Sequence, residues 1–234
     1  MRIKLPFLPW DLSIQRYVRD KPEHKKKNYD KIFCIGSGKT GTTSLERLLS
    51  QFGFTTGNQP VAEVLGRDWL IYQNPDRIIK YCYTADAFQD APFSYPGLHK
   101  ELDNAFPNSK FILTVRNNPD EWFNSLVRFH TKLFSSDLRR PPTENDLENA
   151  TYRYKGYMLE SHKFLYGYPE TSLYDREAYK LAYIKNNVEK REYFKERSND
   201  FSEINLRVKD DFSRLCKFLN IETNIDNFPW LNSS

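Results

Sequence analysis

The chain has 234 residues, of which 28% are charged, and its 35 basic and 31 acidic side chains give a net charge of +4. This excess is too small to predict a nucleic-acid partner, and no apolar run approaches the ~20 residues of a membrane-spanning helix. The length fits a single domain over residues 1–234, because no linker or internal repeat divides it. Three cysteines without metal-like pairing favour a reducing compartment, so we expect a cytoplasmic protein.

Residues 1–30 are predicted to form an N-terminal extension, and the first regular elements follow it. A short apolar strand over about 31–36 leads into the turn GSGKTGTTS and then into a helix over about 42–52. Glycines let backbone N–H groups converge on an anion, and the first turn of the helix adds unpaired donors. The turn is therefore predicted to bind a phosphate or sulfate group, with Lys39 supplying a full positive charge.

The P-loop of nucleoside triphosphatases is one interpretation of this turn, but two features of that motif are missing. The motif needs a glycine five residues before the glycine that precedes the lysine, and Phe33 stands there. No later strand ends in an aspartate that would hold magnesium, and the strand predicted over 110–115 is followed by Arg116. A nucleotide kinase with an irregular P-loop stays an alternative, and it would bind ATP with magnesium.

The middle of the chain continues the alternation of strands and helices. A mixed stretch runs to about residue 84, a short strand covers about 85–89, and a helix covers about 96–106. Alternating strands and helices predict an α/β fold with three layers around a central parallel sheet. If the strand at 85–89 lies beside the first strand, Asp90 stands at the carboxyl end of the sheet, where such folds bind ligands.

The last third is predicted to cover and close the fold. A helix over about 119–130 begins with Asn118 as its N-cap. The tyrosine-rich part from about 132 to 180 is predicted to form helices and loops on the acceptor side of the site. Ile204, Leu206 and Val208 alternate with polar residues as in a strand, and a final helix follows.

The histidines and tryptophans do not suggest a metal or redox site. The four histidines lack the spacing of metal ligands, so no metal site is predicted. We expect His99 on the polar side of its helix, and His130 and His162 at the surface or on helix faces. Trp69, Trp122 and Trp230 are expected mainly in the core.

Three stretches together resemble the sulfotransferases that use 3′-phosphoadenosine 5′-phosphosulfate (PAPS). GKTGTTS is similar to the first loop of that family, with Gly38 in place of the usual proline. VRNNPDEWFNS is similar to its second signature, with one extra asparagine between Arg116 and Pro119. KDDFSRLCKFLNIE and DNFPWLN resemble the closing helix and tail of one small soluble branch of the family.

The resemblance implies a P-loop-NTPase-like fold and metal-independent, in-line transfer of a sulfuryl group from PAPS to an acceptor hydroxyl or amine. The product nucleotide is adenosine 3′,5′-bisphosphate (PAP). The resemblance assigns the 5′-phosphosulfate to the loop and the 3′-phosphate to Arg116 and Ser125. The predicted cofactor site consists of Gly38, Lys39, Thr40, Gly41, Thr42, Thr43, Ser44, Arg116 and Ser125. Lys39 is also predicted to be catalytic, because it would stabilise charge on the leaving phosphate oxygen.

Asp90 is the predicted general base, because cytosolic relatives carry a histidine at the corresponding place two residues before a proline. A carboxylate there could take the proton of the acceptor. A simple turn-capping role for Asp90 is an equal alternative, and Asp86 and Glu63 are reserve candidates. A carbohydrate acceptor is the first expectation by analogy, and small alcohols, lipids and peptide tyrosine are alternatives. A noncatalytic scaffold that binds the nucleotide stays an alternative, and no pattern indicates an oligomeric state.

Overall fold

Four short strands form one parallel sheet in the computed structural model, which describes residues 29–229. The predicted extension over 1–30 therefore lies outside the described residues, except for its last two. In the order β2-β1-β3-β4, the strands are β1 (Ile32–Cys34), β2 (Ala87–Gln89), β3 (Lys110–Thr114) and β4 (Phe201–Ile204). All pairings are parallel, which confirms the predicted α/β class.

Helices connect the strands and flank the sheet. They are α1 (Thr42–Gln51), α2 (Gln59–Tyr72), α3 (Asp76–Tyr81), α4 (Leu98–Ala105), α5 (Pro119–Phe134), α6 (Glu144–Asn149), α7 (Tyr157–Tyr166), α8 (Arg176–Phe194) and α9 (Lys209–Phe218). The mixed stretch predicted before residue 84 contains α2, α3 and a short 3-10 helix over Cys82–Thr84. The predicted N-cap of α5 is confirmed, because the Asn118 side chain accepts a hydrogen bond from the backbone N–H of Glu121 at 2.8 Å.

A row of phenylalanines crosses the sheet at one level and fixes its register. Phe33 of β1 lies beside Phe88 of β2 and Phe111 of β3, and Phe111 lies beside Phe201 of β4. Because side chains alternate along a strand, these rings point to one face, where α2, α4 and α8 contribute to the core. The residues between them pack with α1 and α9 on the other face. Because all the pairings are parallel, the carboxyl ends of the strands lie at one edge of the sheet.

The tyrosine-rich part of the chain builds a separate hydrophobic cluster with α5. The cluster includes Trp122 and Leu126 of α5 and extends through α6 and α7 to α8. The rings of Tyr166 and Tyr179 stack with centroids 3.9 Å apart. These helices therefore stand beside the sheet at the edge where its strands end, since α5 begins soon after β3.

The strand predicted through Val208 is shorter than expected. β4 ends at Ile204, and the backbone N–H of Asn205 donates to the Asp211 carboxylate at 2.7 Å. This hydrogen bond turns the chain into α9. Val208 is 42% exposed, so the alternation of apolar residues continues past the buried part of the strand.

The expectation that His99 lies on the polar side of its helix is wrong, whereas His130 and His162 lie on helix faces as expected. His24 lies outside the described residues, and two of the expectations for the tryptophans are confirmed. His99, His130 and His162 are all buried. Burial lowers the pKa of both His99 and His162 to about 3, so these rings are neutral near pH 7. Trp69 and Trp122 lie in the core, and Trp230 lies outside the described residues.

The described residues contain neither a membrane-spanning helix nor a cluster of metal ligands. Within residues 29–229, no helix is both long and apolar enough to cross a membrane. In the same range, no group of three or more His, Cys, Asp or Glu side chains is arranged to hold a metal ion. Cys34, Cys82 and Cys216 are buried and free.

Candidate active site

The turn after β1 borders a cavity of about 430 Å³ at the carboxyl edge of the sheet. The residues of the predicted cofactor site that border it are Gly38, Lys39, Thr40, Gly41, Thr42, Thr43, Ser44, Arg116 and Ser125, which is the whole predicted set. Asp90 and Glu63 border the same cavity. The fold therefore brings together residues from β1, β2, β3 and three helices that the sequence keeps far apart.

Side chains from other elements hold the backbone of the turn. The carbonyl oxygens of Gly38 and Lys39 accept hydrogen bonds from Trp122 Nε1 at 3.0 Å and Arg116 Nε at 2.6 Å. The Thr40 hydroxyl donates to the Ser37 carbonyl at 2.6 Å and lies 2.5 Å from the hydroxyl of Thr114. Because these interactions fix the turn before any ligand arrives, its backbone is preorganised.

Left-handed backbone at two residues shapes the same turn. Gly41 has a φ of 101° and Lys39 a φ of 72°. Gly41 immediately precedes α1, so Thr42 and Thr43 are the first residues of this helix. Their unpaired backbone N–H groups lie where the loop after β1 ends. Donors and the positive end of the helix dipole make this a suitable place for an anion.

The Lys39 ammonium lies against an aromatic ring that the sequence did not single out. Its Nζ atom is 3.7 Å from the ring centroid of Phe129, which is a cation–π contact. Burial lowers the pKa of Lys39, the charge of Asp90 raises it, and the charges of Arg116 and Arg128 lower it further. One carboxylate and two other cations therefore influence the charge of Lys39.

Asp90 stands at the carboxyl end of β2, directly beside the strand that leads to Lys39. Its Oδ2 atom accepts a hydrogen bond from the Thr42 hydroxyl at 2.9 Å, and Oδ1 accepts one from the Ala91 N–H at 2.9 Å. Burial raises the pKa of Asp90, and the two hydrogen bonds and Lys39 oppose this effect. A β-carbon at position 38 would lie 3.2 Å from Oδ1, so Gly38 leaves room for the carboxylate.

Of the two reserve carboxylates, only Glu63 borders the cavity. Asp86 precedes β2, accepts a hydrogen bond from the Thr55 N–H at 3.0 Å, and does not border the cavity. Glu63 of α2 borders the cavity and is paired with Arg153. Burial raises the pKa of Glu63 to about 7, although the charge of Arg153 opposes the rise.

Arg116 keeps its place at the cavity despite the extra asparagine in its motif. The Asn117 side chain accepts a hydrogen bond from Asn205 at 2.7 Å, and Asn118 caps α5. The two asparagines are therefore used in the connection to α5. Arg116 itself reaches back to the Lys39 carbonyl.

A second arginine, Arg207, accompanies Arg116 and was missed by the sequence prediction. Both guanidinium groups face the carboxylate of Glu121, with 3.6 Å between its Oε1 and Arg116 Nη1, and a closer contact to Arg207. Burial and the charge of Arg207 lower the pKa of Arg116. Two cations with one carboxylate leave a net positive charge, which suits an additional anionic group.

The face of α5 toward the cavity contains the remaining residues near the turn. Trp122, Ser125 and Phe129 follow one another at spacings of three and four, so they share one face of the helix. Ser125 is buried and borders the cavity. Helical spacing from Ser125 would have identified Trp122 and Phe129, whereas no local signal connects Arg207 with this site.

Apolar side chains bound the rest of the cavity. We define the aromatic wall as Phe129, Phe134, Tyr152, Tyr157, Met158 and Leu165, which come from α5, α7 and the segment between α6 and α7. The Phe134 and Tyr152 rings pack edge to face with centroids 5.5 Å apart. One cavity therefore joins a charged region with an apolar region.

A comparison with known families agrees with this arrangement. The sequence model of one family, described as a sulfotransferase domain, matches residues 31–234. A search among curated proteins found no match. Because the matched part covers most of the chain, this protein belongs to the sulfotransferase domain family. The resemblance seen in the sequence is thereby confirmed, and the chain is a transferase of the kind that moves sulfuryl groups.

Proposed function

We propose that this sulfotransferase transfers a sulfuryl group from PAPS to an acceptor hydroxyl, with Lys39 and Asp90 as its catalytic residues. The observation that carries the proposal is the meeting of an anion-binding turn, a lysine and a carboxylate in one cavity. PAPS would supply the activated sulfuryl group and a good leaving phosphate.

The residues around the turn fit such a donor. The N–H groups at Gly41, Thr42 and Thr43 would bind the 5′-phosphosulfate, supported by the helix dipole of α1. The Thr40 hydroxyl is occupied by protein partners, so we assign Thr40 a backbone contribution only. Gly38 and Ser44 complete the turn on either side.

The 3′-phosphate would bind beside Arg116 and Ser125, with Arg207 as a third member. The net positive charge of the two arginines over Glu121 supports this assignment. A guanidinium offers several N–H donors in a planar fork, which suits phosphate oxygens. The second phosphate distinguishes PAP from ADP or ATP, so the same residues would give nucleotide selectivity.

In the proposed reaction, Lys39 stabilises negative charge on the leaving phosphate oxygen and Asp90 accepts the proton of the acceptor. The raised pKa of Asp90 makes it a better base than an ordinary aspartate. Thr42 donates to Asp90 and thereby orients the carboxylate. Glu63 is the second candidate for the base, because it borders the same cavity with a pKa of about 7.

We also propose that residues 1–234 form one sulfotransferase domain in which about 132–180 forms the acceptor side. The contribution of this part to the aromatic wall supports the assignment. Three buried free cysteines are consistent with a reducing compartment, so we retain the cytoplasm as the proposed location.

Calorimetry tests the donor assignment without a known acceptor. The purified protein is titrated with PAP and, separately, with ATP and magnesium. Tight PAP binding that persists in a chelator supports the proposal, whereas preference for ATP with magnesium favours a nucleotide kinase. PAP binding without transfer to any acceptor in a broad screen would indicate a noncatalytic scaffold.

A further inference from the structure

The apolar part of the cavity has the chemistry of a site for an aromatic ring. Phe134, Tyr152 and Tyr157 form a continuous aromatic surface, with centroid distances of 5.5 Å and 6.1 Å between successive rings. Met158 and Leu165 add aliphatic surface from α7. Aromatic rings favour edge-to-face and offset-stacked partners, so this surface suits another aromatic ring.

Several polar groups near the aromatic wall already have protein partners. The Tyr157 hydroxyl lies 3.3 Å from that of Tyr95, and the Tyr157 carbonyl accepts a hydrogen bond from Ser161 at 2.9 Å. Glu63 is paired with Arg153. A ligand that brings several hydroxyl groups against this surface would replace only a few of the hydrogen bonds that it loses to water.

Three residues that border the cavity have a buried side-chain atom without a hydrogen-bond partner, and these atoms do not change this conclusion. Among the described residues, Gln89 Oε1, His162 Nε2 and Asn186 Oδ1 have no hydrogen-bond partner. All three atoms are buried beneath their neighbours, so an acceptor cannot reach them without rearrangement. A carbohydrate, which presents hydroxyl groups around its whole ring, finds few partners here.

The base adds a second and independent argument. A carboxylate is a weak base, even with the raised pKa of Asp90, and it removes a proton more readily from a more acidic hydroxyl. A phenol has a pKa of about 10, whereas an alkyl hydroxyl resembles water, with a pKa of about 15.7. A carboxylate base therefore favours a phenol over a sugar or an alkyl alcohol.

We propose that the acceptor is a phenol, whose ring packs on the aromatic wall while its hydroxyl lies between Asp90 and Lys39. This inference rests on the proposed function. The phenolic oxygen forms a bond to sulfur and its proton passes to Asp90. The bond between sulfur and the phosphate oxygen of PAPS breaks, so the products are an aryl sulfate and PAP.

Three acceptors of defined chemistry test the inference with PAPS as donor. They are 2-naphthol, its saturated counterpart decahydro-2-naphthol, and methyl N-acetylglucosaminide. We expect kcat/KM for 2-naphthol to exceed the other two values by at least about 100-fold, because only 2-naphthol combines a flat ring with an acidic hydroxyl. Equal or better use of the sugar or the saturated alcohol would overturn the inference.

Calorimetry on the same protein separates this inference from the proposed function. If PAP binds and the sugar is the better acceptor, the phenol assignment fails while the sulfotransferase assignment stands. If PAP binds but no acceptor reacts, binding of 2-naphthol to the PAP-loaded protein supports the assignment, and lack of binding overturns it. If PAP does not bind, the proposed function and the inference both fail.

Neighbouring residues on α5 provide a matched pair of variants. Phe134→Ala should raise KM for 2-naphthol about tenfold and leave PAP affinity unchanged, because it removes part of the aromatic wall. Leu133→Ala serves as the control, since Leu133 is 47% exposed and does not border the cavity. Tyr152→Leu provides a second test if Phe134→Ala folds poorly. Unchanged KM in both folded wall variants would contradict the inference.

Discussion

The cavity has two sides that differ in how the chain builds them. The donor side consists of the turn over residues 38–44 with Arg116, Ser125 and Arg207, and it is rich in backbone donors and charge. The acceptor side consists of the aromatic wall and Glu63, which come from α2, α5, α7 and the segment before α7. Most of the donor side is one continuous segment, whereas the acceptor side is assembled from distant parts of the chain.

This difference separates two physical tasks. Binding an anion needs a fixed set of N–H groups and cations, and a short turn between a strand and a helix can supply most of it. Selecting an acceptor needs a shaped apolar surface, which only tertiary packing provides. We therefore expect donor-side substitutions to act on catalysis and nucleotide binding, and acceptor-side substitutions to act on acceptor KM and on stability.

Replacement of Lys39 by alanine should have the largest effect. Lys39→Ala should lower kcat on the order of 10³-fold, because it removes the cation expected beside the leaving phosphate oxygen. PAP affinity should fall by less than about tenfold, since the lysine would act mainly on the group in transfer. Single-turnover assays with PAPS and calorimetry with PAP measure the two quantities.

The control for this substitution is Arg47→Ala, which removes an exposed cation from α1, the helix that follows the turn. It changes the net charge by the same amount but does not alter the cavity. Transfer at the wild-type rate in Lys39→Ala, or an equal loss in Arg47→Ala, would contradict the role of Lys39.

The second prediction concerns the carboxylate between the two sides. Asp90→Asn should lower kcat about 100-fold with PAP affinity preserved, because an amide cannot accept the proton of the acceptor. Only the ionised base is active and burial raises the pKa of Asp90, so wild-type activity should fall on acidification at a higher pH than for an ordinary aspartate. The pH profile of kcat measures this fall in activity. The residual activity of Asp90→Asn should not show the same fall.

Two further carboxylates sharpen the assignment of the base. Asp86→Asn, at the opposite end of β2, should reduce stability while each folded molecule keeps its kcat, because Asp86 binds the Thr55 N–H outside the cavity. Glu63→Gln distinguishes the second candidate. Normal turnover in Asp90→Asn, together with loss of turnover in Glu63→Gln, would move the base to Glu63.

The third prediction tests whether two arginines share the 3′-phosphate. Arg116→Ala should weaken PAP binding about 100-fold, because it removes a charged donor and releases the Lys39 carbonyl. Arg207→Ala should weaken it about tenfold, since Arg207 is exposed and its charge is screened more strongly. Adenosine 5′-phosphate serves as the control ligand, and equal losses for both nucleotides would argue against recognition of the 3′-phosphate here.

The donor side was largely predictable from the sequence because most of its residues lie in one continuous segment. The turn and the start of α5 have recognisable backbone chemistry, and the neighbouring positions of β1 and β2 bring Asp90 to Lys39 as anticipated. Arg207 was missed because its contact with Glu121 depends on the pairing of β3 with β4. The burial of His162 was missed because polar residues on a helix are normally exposed, and only tertiary packing reverses this rule.

The last prediction concerns the pH dependence of stability that the burial of His162 causes. His162 lies on α7, the helix that gives Tyr157 and Met158 to the acceptor side, and burial lowers its pKa to about 3, against about 6.5 in the unfolded chain. The unfolded state therefore binds more protons between these values, and stability falls as the pH drops below 6.5. The contribution of this one ring is about 2 kcal/mol between pH 7 and pH 5, which is an upper value for a rigid site.

His162→Phe should remove this dependence, although it also loses the hydrogen bond to the Tyr179 hydroxyl and so lowers stability at pH 7. Urea unfolding at both pH values measures the slope, and each variant is compared with the wild type because Glu63, with a pKa of about 7, contributes with the opposite sign. His99→Phe, outside the cavity, should change the slope similarly but leave acceptor KM unaltered. An unchanged slope in His162→Phe would mean that the ring takes up its proton over the same pH range in the folded and unfolded states, which would contradict its burial as a neutral ring.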